Sequence, residues 1–219
     1  MMRGSMTEIV APIAAPDATT LADRCRQARR EGATAVEVRL DTCADHGADL
    51  SALVDAFPGL DLPVLATLRH AGEGGTWTGQ AGERRALYER ADAAGARWID
   101  VELAQDDGWR PQRAGLVLSH HDFAGMGSDQ DAMIARMHAA GAAVAKIALT
   151  PADADDLAII ARIYRHAQGP CCAIAMGETG LPSRLLAGCW GAAFTFGRLS
   201  AAPGSAPGQP LVEDLARRY

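Results

Sequence analysis

The chain has 219 residues, 48% of them hydrophobic and 22% charged, the make-up of a globular protein long enough to bury a core without disulfide or metal staples. A formal net charge of -6 and an aromatic content of 5% exclude the basic, base-stacking surface that nucleic acid demands and the basic face that anionic lipid demands. The five cysteines are odd in number and lack C-x-x-C spacing, and no apolar run approaches the roughly 20 residues of a membrane helix, so a soluble protein of the reducing cytoplasm is expected.

Residues 1–6 (M-M-R-G-S-M) look like an expression scar, and residues 7–219 read as one domain. The first strand is expected at Ile9–Ala14. The second, Ala35–Leu40, closes on Glu37-Val38-Arg39-Leu40-Asp41, whose charged residues alternate and so share one face. That face is either solvent, on a polar edge strand, or a barrel interior where buried charges must be paired. The third strand, Val64–Leu68, leads into Arg69 and His70-Ala71-Gly72-Glu73-Gly74-Gly75, where glycines allow a tight turn that holds Glu73 near the strand end. The fourth is Trp98–Glu102. The span 103–114 after it is too short and polar for a good helix, and Asp106-Asp107-Gly108 and Trp109 read as a loop. The fifth, Leu116–Ser119, is followed by His120-His121-Asp122-Phe123. Adjacent histidines point to opposite faces, so no shared metal is expected there, and either one is an acid/base group or a structural histidine.

Ser128 with Asp131 resembles a capping box, followed by Met133, Ile134 and Met137 on one helix face. The sixth strand, Ala143–Ile147, carries Lys146. Thr150 as N-cap and Pro151 at the first helical position then open a helix bearing Leu157, Ile160, Ala161 and Tyr164. The seventh strand is Cys172–Ala175, with a glycine-rich loop to Arg184. The eighth is Ala192–Phe196, with a loop carrying Ser205 and Gln209. Near-continuous apolar strands alternating with helices point to a parallel sheet covered on both faces, and eight of them to a (β/α)8 TIM barrel with a shortened crossover after strand four.

Lysine and arginine together number 21, and Lys146 is the only lysine. A lysine at a strand end ordinarily snorkels its ammonium to solvent. One held inside an apolar strand is instead a desolvated amine, a nucleophile toward a carbonyl. A chain that writes every other cation as arginine favours the second reading.

Six strings in order, E-V-R-L-D, A-T-L-R with E-G-G, S-H-H-D-F, A-K-I-A, M-G-E-T-G-L-P-S-R and S-A-P-G-Q, resemble the type I 3-dehydroquinate dehydratases of the shikimate pathway and of aromatic amino acid biosynthesis. The resemblance runs from Glu37 to Gln209. It implies a hydro-lyase that converts 3-dehydroquinate to 3-dehydroshikimate, with Lys146 as Schiff-base lysine, His121 as general acid/base and Glu73 as the carboxylate that holds it. Substrate contacts fall on Glu37, Arg39, Arg69, Arg184, Ser205 and Gln209. It implies no metal or organic cofactor, a small-molecule substrate as partner and a homodimer. Two other readings stay open: a lysine-dependent class I aldolase-like barrel, and a non-catalytic binder of a cyclic acid.

Overall fold

The computed structural model describes residues 7–201 and 208–219. In chain order the elements are β1 (Glu8–Ile13), α1 (Ala18–Glu31), β2 (Ala35–Arg39), α2 (Leu40–Asp45), α3 (Leu50–Asp55), β3 (Val64–Thr67), α4 (Ala81–Ala93) and β4 (Trp98–Glu102). They continue with β5 (Gly115–Asp122), α5 (Gln130–Ala139), β6 (Val144–Leu149), α6 (Leu157–His166), β7 (Cys171–Ala175), α7 (Leu181–Leu185), β8 (Phe194–Phe196) and α8 (Val212–Ala216). Neighbouring strands pair in parallel in the order β7-β6-β5-β4-β3-β2-β1-β8, and Ala193 N–H donating to Cys171 C=O at 2.8 Å stitches the last seam. This is a nearly closed (β/α)8 barrel, as the strand pattern predicts. No helix among the described residues is long and apolar enough to cross a membrane.

Alternation along each strand sorts side chains into two apolar layers. On β6, Ala145, Ile147 and Leu149 join the cluster between sheet and helices, while Val144 and Ala148 join the one inside the barrel. Lys146 lies between those two on the inner face. The inner cluster also holds Val10, Leu65, Val117, Cys172 and Phe194, and Trp98 meets Phe194 edge-on with ring centroids 5.1 Å apart. The barrel is thus packed with apolar side chains toward the amino ends of its strands. The buried polar residues Glu37, Asp100, Glu102, Ser119 and Lys146 lie from the middle of their strands to the carboxyl ends, the side where chemistry sits in this architecture.

The crossover after β4 is short, as expected: a single helical turn at Leu103–Gln105, then loop. Asp106 accepts from Gly108 N–H and Asp107 from Trp109 N–H, so these carboxylates stabilise turns rather than a helix. Trp109 stacks on Tyr88 of α4 at 6.1 Å and covers the wall that a helix would have covered.

Two helix starts differ from expectation. Ser128 does not cap α5; the residue before that helix is Asp129, in the left-handed region at φ 60° with no side-chain cap bond. Thr150 and Pro151 do not open α6, which begins at Leu157. Asp153 and Asp156 instead accept backbone N–H bonds from Asp155 and Ala152 and hold turns in between. The Thr150 hydroxyl donates to the Asp122 carbonyl at 2.9 Å and ties β6 to the end of β5.

Candidate active site

A cavity of about 380 Å³ opens at the carboxyl ends of the strands, lined by Glu37, Arg39, Arg69, Glu73, His121, Lys146, Arg184 and Gln209 among others. Every site residue that the resemblance implies therefore lines one cavity except Ser205, which lies outside the described residues; His120, the other histidine of the pair, does not line it. A larger, more open groove of about 790 Å³ at α7 and α8 contains none of the lysine–histidine chemistry.

Lys146 is buried at 4% exposure with three neighbours around its amine. Nζ lies 2.9 Å from Asp100 Oδ2, 3.6 Å from Glu37 Oε1 and 4.8 Å from the centre of the Phe196 ring. The desolvation expected from an apolar strand is present, but the amine is paired.

Asp100 and Glu102 share the inner face of β4. Asp100 Oδ1 accepts from Arg69 Nη2 at 2.8 Å and from Ser119 Oγ at 2.6 Å. Arg69 Nη1 donates to Ser119 Oγ at 2.7 Å and lies 3.1 Å from Glu102 Oε1, while Glu102 Oε2 lies 3.6 Å from Arg84 of α4. Charges of alternating sign thus run across the barrel from Arg84 to Lys146, each buried ion facing an opposite one, as burial requires. Burial pushes the Asp100 carboxyl up, but Arg69, Lys146 and the Ser119 hydroxyl more than reverse it, and the group is held well below the usual carboxylate range. Sequence reasoning missed both carboxylates. Their signal was the i, i+2 alternation in W-I-D-V-E, the same pattern that singled out Glu37 and Arg39.

His121 ends the inner face of β5. Its backbone N–H and its ring Nδ1 both lie 3.0 Å from Glu73 Oε2. With Oε2 accepting the backbone bond, the ring completes the arrangement as an Nδ1–H donor, which leaves the lone pair on Nε2. Burial, with help from the charges of Arg69 and Lys146, lowers the imidazole well below the ordinary histidine value. Burial likewise raises Glu73, up to about 7, against the pull of Arg69. His120 Nδ1 lies 3.9 Å from the other Glu73 oxygen, so both histidines flank one carboxylate although they sit on opposite faces of the strand.

The loop that supplies Glu73 depends on glycine. A Cβ on Gly75 would lie 2.1 Å from the Arg69 carbonyl oxygen, and Gly74 has φ 78° with Phe123 directly over it. Arg39 binds Asp41 through two bonds of 2.9 and 2.7 Å, and Glu37 Oε1 accepts from Thr67 Oγ1 at 3.0 Å. Arg184 differs from the other arginines of the cavity. It is 3% exposed, has no ion-pair partner among the described residues, and its Nε has no hydrogen-bond partner. Burial lowers it to about 10. A buried guanidinium that faces a cavity and is bound to no carboxylate of the described residues is a seat for an anionic group.

A family model described as type I 3-dehydroquinase matches residues 9–219. The chain belongs to this family. It is 35% identical over 210 residues to a 3-dehydroquinate dehydratase of Methanothrix thermoacetophila, an alignment covering 94% of this chain and 88% of that one. It is 36% identical over 222 residues to a bifunctional 3-dehydroquinate dehydratase/shikimate dehydrogenase of Arabidopsis thaliana. That alignment covers 96% of this chain but only 36% of the bifunctional protein. Among solved structures, the 3-dehydroquinate dehydratase of Geobacillus kaustophilus superposes with a TM-score of 0.84 at 25% identity, over 96% of this chain and 89% of that one. In this type I 3-dehydroquinase chain the cavity gathers Lys146 of β6, His121 of β5 with Glu73 from the turn after β3, and Arg184 of α7, which has no ion-pair partner among the described residues.

Proposed function

We propose that the chain is a 3-dehydroquinate dehydratase, a hydro-lyase of the shikimate pathway that removes water from 3-dehydroquinate through an imine on Lys146. The observation that carries the reading is the position of the only lysine, buried at the floor of the cavity that also holds His121 and Arg184. Family membership supports the substrate.

The substrate carboxylate pairs with Arg184, among the described residues the one buried cation of the cavity with no anion of its own. This seat turns the ring ketone toward Lys146. The amine adds to the carbonyl and water leaves with the carbonyl oxygen, giving a protonated imine. That cation draws electrons from the adjacent carbon and makes its proton acidic. His121 Nε2, whose imidazole is neutral at pH 7 because burial and nearby cations lower it, takes this proton. The resulting enamine expels the hydroxyl group from the carbon that bears the carboxylate, and the imidazolium returns its proton to the departing oxygen. Water then releases 3-dehydroshikimate and restores the amine.

Glu73 orients the imidazole and stabilises its protonated form. Arg39 and Glu37 face the ring hydroxyls. Arg69 is fully engaged with Asp100, Glu102 and Ser119, so its part is to hold the charged floor in place. The lysine nitrogen is the electron sink, so the scheme calls on no cofactor.

The test is reduction with borohydride in the presence of 3-dehydroquinate, followed by the mass of the peptide containing Lys146. The expected result is a stable adduct on that peptide, with conjugated enone absorbance in unreduced samples. No adduct and no enone would sink the reading.

A further inference from the structure

We propose that Asp100 is the counter-ion of the protonated imine on Lys146 and is a catalytic residue in contact with the reacting nitrogen. This rests on the imine reading above and adds to it a group that holds the electron sink in its active, protonated form.

The geometry divides the work of the two carboxylate oxygens. Oδ1 is fixed by Arg69 Nη2 at 2.8 Å and Ser119 Oγ at 2.6 Å. Oδ2 has Lys146 Nζ at 2.9 Å as its partner. One oxygen anchors the group to β3 and β5, and the other is aimed at the nitrogen. Asp100 is 1% exposed, so water does not compete for that second oxygen. Glu37, the other acid near Nζ, is farther at 3.6 Å, and the same oxygen is already hydrogen-bonded to Thr67.

The reaction keeps the demand for this anion constant. R–NH3⁺ and O=C< give R–NH⁺=C< and water, so the nitrogen carries one positive charge before and after condensation. Two of its three hydrogens leave with the carbonyl oxygen as water, and the one that remains donates to Oδ2. A carboxylate already locked at 2.9 Å needs no reorganisation when the cation changes from ammonium to iminium. An aldimine or ketimine nitrogen without such an anion, in a cavity this buried, loses its proton readily, and the neutral imine is a poor electron sink. Among the described residues the charged and titratable groups around Nζ are Glu37 from β2, Asp100 from β4, His121 from β5 and Cys172 from β7, with Arg69, just after β3, bound to the other oxygen of Asp100. Of these only Asp100 combines contact with the nitrogen and fixed ionisation.

The experiment compares Asp100→Asn with the unaltered enzyme. The amide keeps the shape and removes the charge. The expected result is a fall in kcat of about 10²-fold at neutral pH, the scale of losing one preorganised electrostatic contact. The alkaline limb of the kcat–pH profile should also move down by about one unit or more, the scale on which an opposite charge in contact shifts a titration. Because Lys146 is the only lysine, enzyme labelled with 15Nζ-lysine and mixed with 3-dehydroshikimate reports one adduct nitrogen. At pH 8 it should read protonated in the unaltered enzyme and unprotonated in Asp100→Asn. A folded variant whose alkaline limb and nitrogen signal do not move would overturn the proposal, since a structural ion pair would lower the rate equally at every pH. If Asp100→Asn does not fold, Ser119→Ala loosens Oδ1 without removing charge. A smaller downward shift of the same limb is then expected, and none at all would overturn it. Failure to trap Lys146 with borohydride in the unaltered enzyme refutes the imine itself; trapping without the pH shift refutes only the role of Asp100.

Discussion

Lys146 and His121 are tuned in different ways, and single substitutions separate them. Lys146→Arg keeps a cation against Asp100 and Glu37 but cannot form an imine. The chain should fold, show no borohydride-trapped adduct by mass spectrometry, and lose several powers of ten in enone production. His121 is lowered by burial and by the Arg69 and Lys146 charges. The acid limb of kcat/KM should therefore lie below the usual histidine midpoint of about 6.5, as a steady-state pH profile will show. Glu73 has the opposite sign: its folded value, about 7, lies above the carboxylate's ordinary 4.5. The folded state therefore holds this proton longer than the unfolded chain does, and stability is lost as pH rises between those two values. Glu73→Gln removes that loss. Its melting temperature relative to the parent should rise between pH 5 and pH 8, by an amount equivalent to about 1–3 kcal/mol, while its turnover falls. At this scale the sequence was informative where a residue type was rare or a charge interrupted an apolar run, as with Lys146, Glu37 and Arg39. Asp100 and Glu102 carried the same alternation on β4 and passed unnoticed, because no loop motif followed them. Their partners, Arg69 and Ser119, lie 31 and 19 residues away from Asp100, and only the closed sheet brings them together.

Among the elements, strands were more legible than helix starts. A buried parallel strand is written almost wholly in apolar residues, whereas a helix start depends on competition between caps and turns. The segment before α6 contains two aspartates, Asp153 and Asp156, whose carboxylates satisfy backbone N–H groups locally, and this delays the helix to Leu157. The turn between β3 and α4 is the element on which the histidine pair depends. Gly75→Ala forces a methyl group into the Arg69 carbonyl. It should cost about 1–3 kcal/mol in urea denaturation, as overpacked sites do, and move the acid limb of activity further down as Glu73, which supports the imidazolium, is displaced from His121. The segment after β7 is held from behind: the Arg184 carbonyl accepts from Thr195 Oγ1 at 2.9 Å and from the Tyr219 hydroxyl at 3.1 Å. The same hydroxyl lies 3.0 Å from both Leu185 C=O and Gly188 N–H. Tyr219→Phe should therefore raise KM several-fold with kcat little changed, because it loosens the mount of the carboxylate seat and touches none of the reacting atoms.

Over the whole molecule, the barrel has one weak seam. β8 has a parallel ladder with β1, whereas toward β7 the described residues offer no ladder but the Ala193–Cys171 backbone bond and Cys172 Sγ donating to Phe194 C=O at 3.4 Å; β6 is paired on both sides. Amide hydrogen exchange should be fastest among the strands in β8, by about tenfold or more relative to β6, since local opening follows the number of bonds that must break. The seam adjoins the Arg184 mount and lies away from the Asp100–Arg69 floor, so the rigid side of the barrel carries the charged floor and the looser side receives the substrate. The guanidinium of Arg184 has a further practical consequence. A guanidinium with no carboxylate partner among the described residues attracts anions by charge, whatever their ring structure, before the lysine engages. Acetate, citrate or phosphate in a reaction buffer will occupy it, and rates measured in such buffers will understate the enzyme in competition with substrate, an effect that vanishes in zwitterionic sulfonate media too bulky to enter.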